Sequence, residues 1–287
     1  MRLSPVLRAG AVVAALALAV TACGGKSQQA AAGSDSLVDR AKTANKLTVG
    51  IKFDQPGLGL KTADGYTGFD VDVAKYIAKK LGVDEKNIVF KQAPSAQRED
   101  LIAQGDVDLV IATYTINDKR KQKVSFAGPY FVAGQDLLVK ADNTDITGPE
   151  TLNGKKLCSV TGSTSAQKVK DKFAKTVQLQ EYDTYSKCVE ALNAKVVDAL
   201  TTDNTILAGY ASQPAYKGKL KLVGKTFSEE KYGIGLKKGD TALCTKITDA
   251  LKKMISDGSW QNFVTANLGP AGFKPGPGNP PTPEACS

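Results

Sequence analysis

The chain has 287 residues, 42% hydrophobic and 23% charged, a globular composition long enough for two modest domains. Its net charge is +9, but the lysines are scattered singly and aromatics make up only 7%, so nothing in the pattern points to nucleic acid. There is no histidine, which excludes Ser/His/Asp and Cys/His nucleophile arrangements and His-ligated zinc, and removes the usual general base near neutral pH.

The chain opens MRLSPVLRAGAVVAALALAVTAC. Arg2 and Arg8 precede an apolar run over residues 9–20, too short to span a membrane comfortably and suited to a secretory h-region. It ends in Val20-Thr21-Ala22-Cys23, which resembles a bacterial lipobox. The expectation is a signal peptide over 1–22, a lipidated, palmitate-bearing Cys23 that anchors the chain outside the cell membrane, and a flexible tether over 23–45. Export places Cys158, Cys188, Cys244 and Cys286 in an oxidising compartment, where an even number reads as structural disulfides. Three pairings are possible, and the sequence-near one is Cys158–Cys188 with Cys244–Cys286. No CxxC spacing supports a metal site.

From Leu47 the pattern alternates apolar strands with amphipathic helices. LTVGI is a strand; DVDVAKYIAKKLG sets Val73, Ile77 and Leu81 four apart and stops at Gly82, a helix with a glycine C-cap. NIVF is a strand, QREDLIAQ a short helix, and VDLVIA a central strand, because it is apolar throughout. A second series begins at LLVK: strand KLCSV, a helix over 163–174, strand VQLQ, helix YSKCVEALNAK, strand VVDALTT, a helix near Thr205 and strand LKLV. YGIGL and two further helices, TALCTKITDALKKMISDG and WQNFVTANLG, close the chain before a Pro/Gly-rich tail. The class is α/β, two lobes with mainly parallel sheets joined by two crossing strands. In such sheets ligands bind beyond the carboxyl ends of strands.

Polar residues collect at those ends. Lys52 follows LTVGI, and Ser95 and Arg98 open the next helix. After VDLVIA come Thr113 and Thr115, hydroxyl and amide donors, and Arg120, whose planar fork suits a carboxylate. After KLCSV, Thr161, Ser163 and Thr164 start a helix whose free amides can meet an anion. After VVDALTT, beyond Thr202, Asp203 can take an ammonium group. Each alone also reads as a cap or a surface charge. Together they match a dicarboxylic amino acid: one carboxylate at Arg120, Thr115 and the 163–164 amides, the ammonium at Asp203, the second carboxylate at Lys52, Arg98 and Ser95.

The segments GYTGFDVDVAKYIAKKLG, VDLVIATYTINDKRKQKVSFAGPYF, GKKLCSVTGSTS, VVDALTTDNTIL and EKYGIGLKKGD resemble, in order, those of polar amino-acid-binding proteins of ABC importers. With the lipobox, KFDQPGLGL and CSVTGSTSAQ look most like actinobacterial glutamate-binding lipoproteins. The resemblance implies a Venus-flytrap (type II periplasmic-binding-protein) fold, with one lobe over 46–129 and 233–287, the other over 135–227, and hinge strands at 130–134 and 228–232. It implies Arg120, with Thr115 and Thr164, on the α-carboxylate; Asp203 and the Thr113 carbonyl on the α-ammonium; and Lys52, Ser95 and Arg98 on the side-chain carboxylate of glutamate. It further implies a non-enzymatic, cofactor-free monomer that works with an ABC permease and ATPase. A glutamine or aspartate binder, a sensor or an exported dehydratase on the same fold are the alternatives. Thr113 stands where the family carries glycine, and Asn117 where it carries a second threonine.

Overall fold

In the computed structural model, residues 36–172 and 176–287 are described. The expected signal sequence, Cys23 and the first part of the tether lie outside them. The end of the expected tether does not run free. Residues Leu37–Ala44 form helix α1, whose start is capped by Ser36 and whose Leu37 and Ala41, four apart, are buried. Asp240 fastens it, accepting from the Ser36 hydroxyl at 3.1 Å and the Leu37 amide at 3.2 Å.

Chain order then runs β1 (Leu47–Ile51), a small sheet of β2 (Asp54–Gln55), β3 (Gly59–Thr62) and β4 (Gly65–Thr67), α2 (Phe69–Lys80), β5 (Ile88–Gln92), α3 (Arg98–Ala103), β6 (Leu109–Val110), α4 (Asp118–Lys121) and β7 (Val124–Ala133). Helix α2 forms as its spacing predicts: Val73 and Ile77 are fully buried, acids occupy its first turn and Lys79 and Lys80 its last. Gly82 beyond it has φ +81°, a left-handed turn that suits glycine.

The second sheet takes β8 (Gln135–Lys140), β9 (Lys156–Val160), α5 (Ser165–Lys172), β10 (Gln178–Tyr182), α6 (Tyr185–Asn193), β11 (Ala199–Asp203), α7 (Asn204–Ala211) and β12 (Leu220–Leu222). The chain returns through β13 (Glu230–Lys237), α8 (Thr241–Ser256) and α9 (Ser259–Asn267). Strand order is β5-β1-β6-β13-β7 in one sheet and β10-β9-β11-β8-β12 in the other. Both sheets are mixed. Helical crossovers make the first three strands of each order parallel, whereas β13, β7, β8 and β12 pair antiparallel. The expected mainly parallel sheets are therefore parallel only where a helix intervenes.

The lobes join where β7 runs into β8 and where β13 leaves the second lobe. Phe69, Phe131, Tyr232 and Trp260 cluster there, and the Trp260 indole donates to the Tyr130 carbonyl at 2.8 Å. Two disulfides are present: Cys158–Cys188 ties β9 to α6, and Cys244–Cys286 ties α8 to the tail. The tail covers the free edge of β7, with Ser287 exchanging backbone bonds with Phe126 and the Asn279 amide pairing both polar groups of Val132. No helix among the described residues is long and apolar enough to cross a membrane.

Candidate functional site

Parallel pairing of β5, β1 and β6 brings the carboxyl ends of β1 and β6 to one rim, and that of β9 and β11 does the same opposite. Between the rims lies a cavity of about 20 Å3, far below the range of drug-sized pockets. The first lobe contributes Ser95, Arg98, Thr113, Thr115 and Arg120, and the second Ser163, Thr164, Ser165, Tyr185, Asp203 and Ile206. The lobes are closed on it. A Cβ on Gly162 would fall 2.6 Å from the Ala96 Cα, and Arg120 reaches across to the Gly162 carbonyl at 3.3 Å.

Arg120 is 6% exposed, and its helix start is capped by the Asn117 side chain at 2.9 Å. Its Nη1 donates to the Thr115 carbonyl at 2.7 Å, and its Nε lies 3.5 Å from Glu99. Arg98 is buried, donates from Nη1 to the Ala112 carbonyl at 3.0 Å, and has no hydrogen-bond partner at Nε. Both guanidiniums lie over the Tyr114 ring, 4.2 and 4.9 Å from its centroid. Burial, and then Arg120, pull the Arg98 pKa down to about 10.

Lys52 is 5% exposed and donates to the Ser95 hydroxyl at 2.8 Å. Burial above all, then Arg98, pushes its ammonium well below the ordinary lysine value. Lys52 does not line the cavity but stands behind Ser95. Thr113 takes a left-handed backbone (φ +47°) where glycine would be unstrained. Its amide donates to Asp70 at 2.9 Å, and Tyr130 donates to the other oxygen at 2.8 Å. Burial raises Asp70 to about 6 against those bonds.

Asp203 ends β11, accepting from the Tyr232 hydroxyl at 2.7 Å. Burial, then the neighbouring Glu230 carboxylate, raises its pKa to about 7. Fully buried Glu230 holds Lys168, Ser228 (2.6 Å) and Thr164 (3.5 Å), fastening α5 to the return strand.

Besides Lys52, two more expected residues, Thr161 and Thr202, are not brought to the cavity. Thr161 is exposed, because its amide closes the β9 end onto the Tyr182 carbonyl at 2.9 Å and the chain turns in only after it. Thr202 is buried, and Tyr185 rather than Thr202 lines the cavity on that side. Tyr185 was missed, although it sits beyond the end of β10 where the strand-end rule would have found it. Burial, then Asp203, raises its pKa to about 12. Ser165, Ile206 and Glu99 were missed too, since nothing local separates them from ordinary helix residues. No cluster of three or more metal-ligating side chains occurs among the described residues.

Two α/β lobes closed on a small cavity walled by opposite charges define a protein that captures a zwitterionic small molecule. Residues 47–269 match the bacterial extracellular solute-binding proteins, family 3. A glutamate-binding protein, GluB of Corynebacterium glutamicum, is 48% identical over 276 residues, covering 91% of this chain and 90% of that protein. The ABC transporter glutamine-binding protein GlnH of Bacillus subtilis is 40% identical over 250 residues, 85% of this chain and 90% of that one. Among solved structures, an ancestral arginine-binding protein bound to glutamine superposes with a TM-score of 0.73 at 40% identity, over 78% of this chain and 98% of that chain. The chain belongs to the family 3 extracellular solute-binding proteins, with the type II periplasmic-binding-protein fold. Its place is extracytoplasmic, and its family serves ABC import of amino acids.

Proposed function

We infer that the protein captures L-glutamate outside the cell and hands it to an ABC permease, itself held at the membrane by a lipid on Cys23 and acting as a monomer without catalysis. One observation carries the ligand: the charged groups lining the cavity are two guanidiniums and one carboxylate, the complement of two carboxylates and one ammonium. Arg120 takes the α-carboxylate with Thr115 and the start of α5, Asp203 the α-ammonium, and Arg98 with Ser95 the side-chain carboxylate. Lys52 acts from behind Ser95, polarising its hydroxyl and adding positive charge. The 48% identity to a glutamate-binding protein supports the same reading.

Glutamine would leave Arg98 and Lys52 without an anion in a closed, dry site, which costs about 2–4 kcal/mol. Calorimetric titration with glutamate, aspartate, glutamine and asparagine tests this. Glutamate binding at least tenfold tighter than glutamine, and lost in Arg98→Ala, is the expected result; glutamine binding as well as glutamate would sink it.

A further inference from the structure

The first lobe reaches the second at a place the cavity does not include. Asp54, at the start of β2, accepts from the Ser186 amide in the first turn of α6 at 3.1 Å. The Tyr210 hydroxyl on α7 lies 3.0 Å from the same carboxylate oxygen and also meets the Asp54 carbonyl. Asp54 thus supplies, from the opposite lobe, a carboxylate to the amide end of α6, where a negative charge is favoured. Tyr210 is 4% exposed, so its contact is shielded from water.

One step along the same loop, the Pro56 carbonyl presses on Gly209 in the interior of α7. A Cβ there would fall 2.2 Å from that oxygen. Glycine is a poor residue for a helix interior, and α7 offers it no turn to make. What the glycine permits is the approach of the other lobe. Since the lobes are connected only through the β7–β8 passage and the return into β13, opening the cleft separates Asp54 and Pro56 from α6 and α7.

None of these residues lines the cavity. We propose that Asp54, Gly209 and Tyr210 form a closure contact that sets the affinity and dwell time of every ligand without reading which ligand is present. Apparent affinity is intrinsic affinity scaled by how readily the closed form is reached, so this contact multiplies all dissociation constants by one factor. The inference rests on the cleft being the amino-acid site. A rival role exists, because Asp54 is two residues from Lys52 and supports its charge. Acting through Lys52, Asp54 would alter the preference between acid and amide ligands.

The experiment compares the purified protein with Asp54→Asn, Tyr210→Phe and Gly209→Ala, measuring dissociation constants and stopped-flow rates for glutamate, aspartate and glutamine, and melting without ligand. The expected result is a tenfold or greater weakening in Gly209→Ala and Asp54→Asn, a smaller one in Tyr210→Phe, carried by faster dissociation. The ratios among ligands stay within twofold of wild type, and ligand-free melting of Gly209→Ala is not lowered, alanine being the better helix residue. Unchanged dissociation rates, a shifted acid-to-amide ratio in Asp54→Asn, or lowered ligand-free melting of Gly209→Ala would each overturn the proposal. If wild type binds glutamine alone, the ligand reading falls, while the same variants still test the contact on glutamine.

Discussion

Arg120 commits its guanidinium to three groups at once: the Thr115 carbonyl, the Gly162 carbonyl of the other lobe and Glu99. A fork held on its outer edges presents a fixed face to a carboxylate, and the point charge of lysine would reproduce neither the hold nor the face. Arg120→Lys is therefore expected to weaken every amino-acid ligand about 100-fold or more, near 3 kcal/mol, in calorimetric titration. Asp203 makes a second residue-level prediction. Its pKa stands at about 7 without ligand, and an ammonium partner favours the charged form, so binding below pH 7 must expel a proton. Affinity is full above pH 7 and is lost as pH falls, by up to about tenfold per unit. Glu230, Lys168, Arg120 and Tyr232 face the same carboxylate, and Asp70 titrates near 6, so Asp203→Asn is the control. It is expected to bind weakly with a flattened profile between pH 5.5 and 8.5; a wild-type affinity constant over that range would remove Asp203 from the ligand.

At the scale of elements, the Cys158–Cys188 bridge holds β9, whose end opens α5, against α6, whose first residue is Tyr185. The bridge spans 30 residues and so restricts the unfolded chain by about 3–4 kcal/mol. Cys158→Ser paired with Cys188→Ser is expected to lower ligand-free stability by that amount in urea titration, with the glutamate-to-glutamine ratio unchanged; a loss under 1 kcal/mol would mean the strand and helix hold each other unaided. The elements themselves were largely legible. Helix α2 could be read from Val73 and Ile77 because periodicity reports one buried face, and β9 because KLCSV is a short run, buried after its lysine and bounded by turns. Helix α1 could not, since its packing rests on Leu37, Ala41 and a cap tied to Asp240 some two hundred residues away. The antiparallel strands were hidden for the same reason: which strand β13 joins is decided by the return of the chain, not by its own residues. The site followed suit. Strand ends pointed to Arg98, Arg120 and Asp203, but Lys52 lying behind Ser95, and Thr161 turning outward, depend on loop paths that no spacing encodes.

For the whole molecule, the positive charge that argued nothing about nucleic acid acquires a use. Beside the cavity the closed cleft keeps a mouth of about 520 Å3, lined by Lys119, Lys123, Lys168 and Arg120 against Glu99, Asp171 and Glu181. Glu99 is engaged with Arg120 and Lys168 with Glu230, which leaves Lys119 and Lys123 as the cations at the entrance whose removal touches neither cavity nor closure contact. Without Arg2 and Arg8 of the expected signal peptide the net charge of +9 falls to +7, which still biases the approach of an anionic amino acid, and these two lysines stand at the mouth of the cleft. Such steering acts on encounter and is screened within about 10 Å at 0.1 M salt. Replacing both lysines by glutamate is therefore expected to slow glutamate association a few-fold at low salt, to leave the dissociation rate unchanged, and to lose its effect at high salt. Stopped-flow rates across a salt series check it. A change in dissociation instead would place these lysines in the closed site, and an association rate indifferent to salt would leave the basic surface without a role in capture.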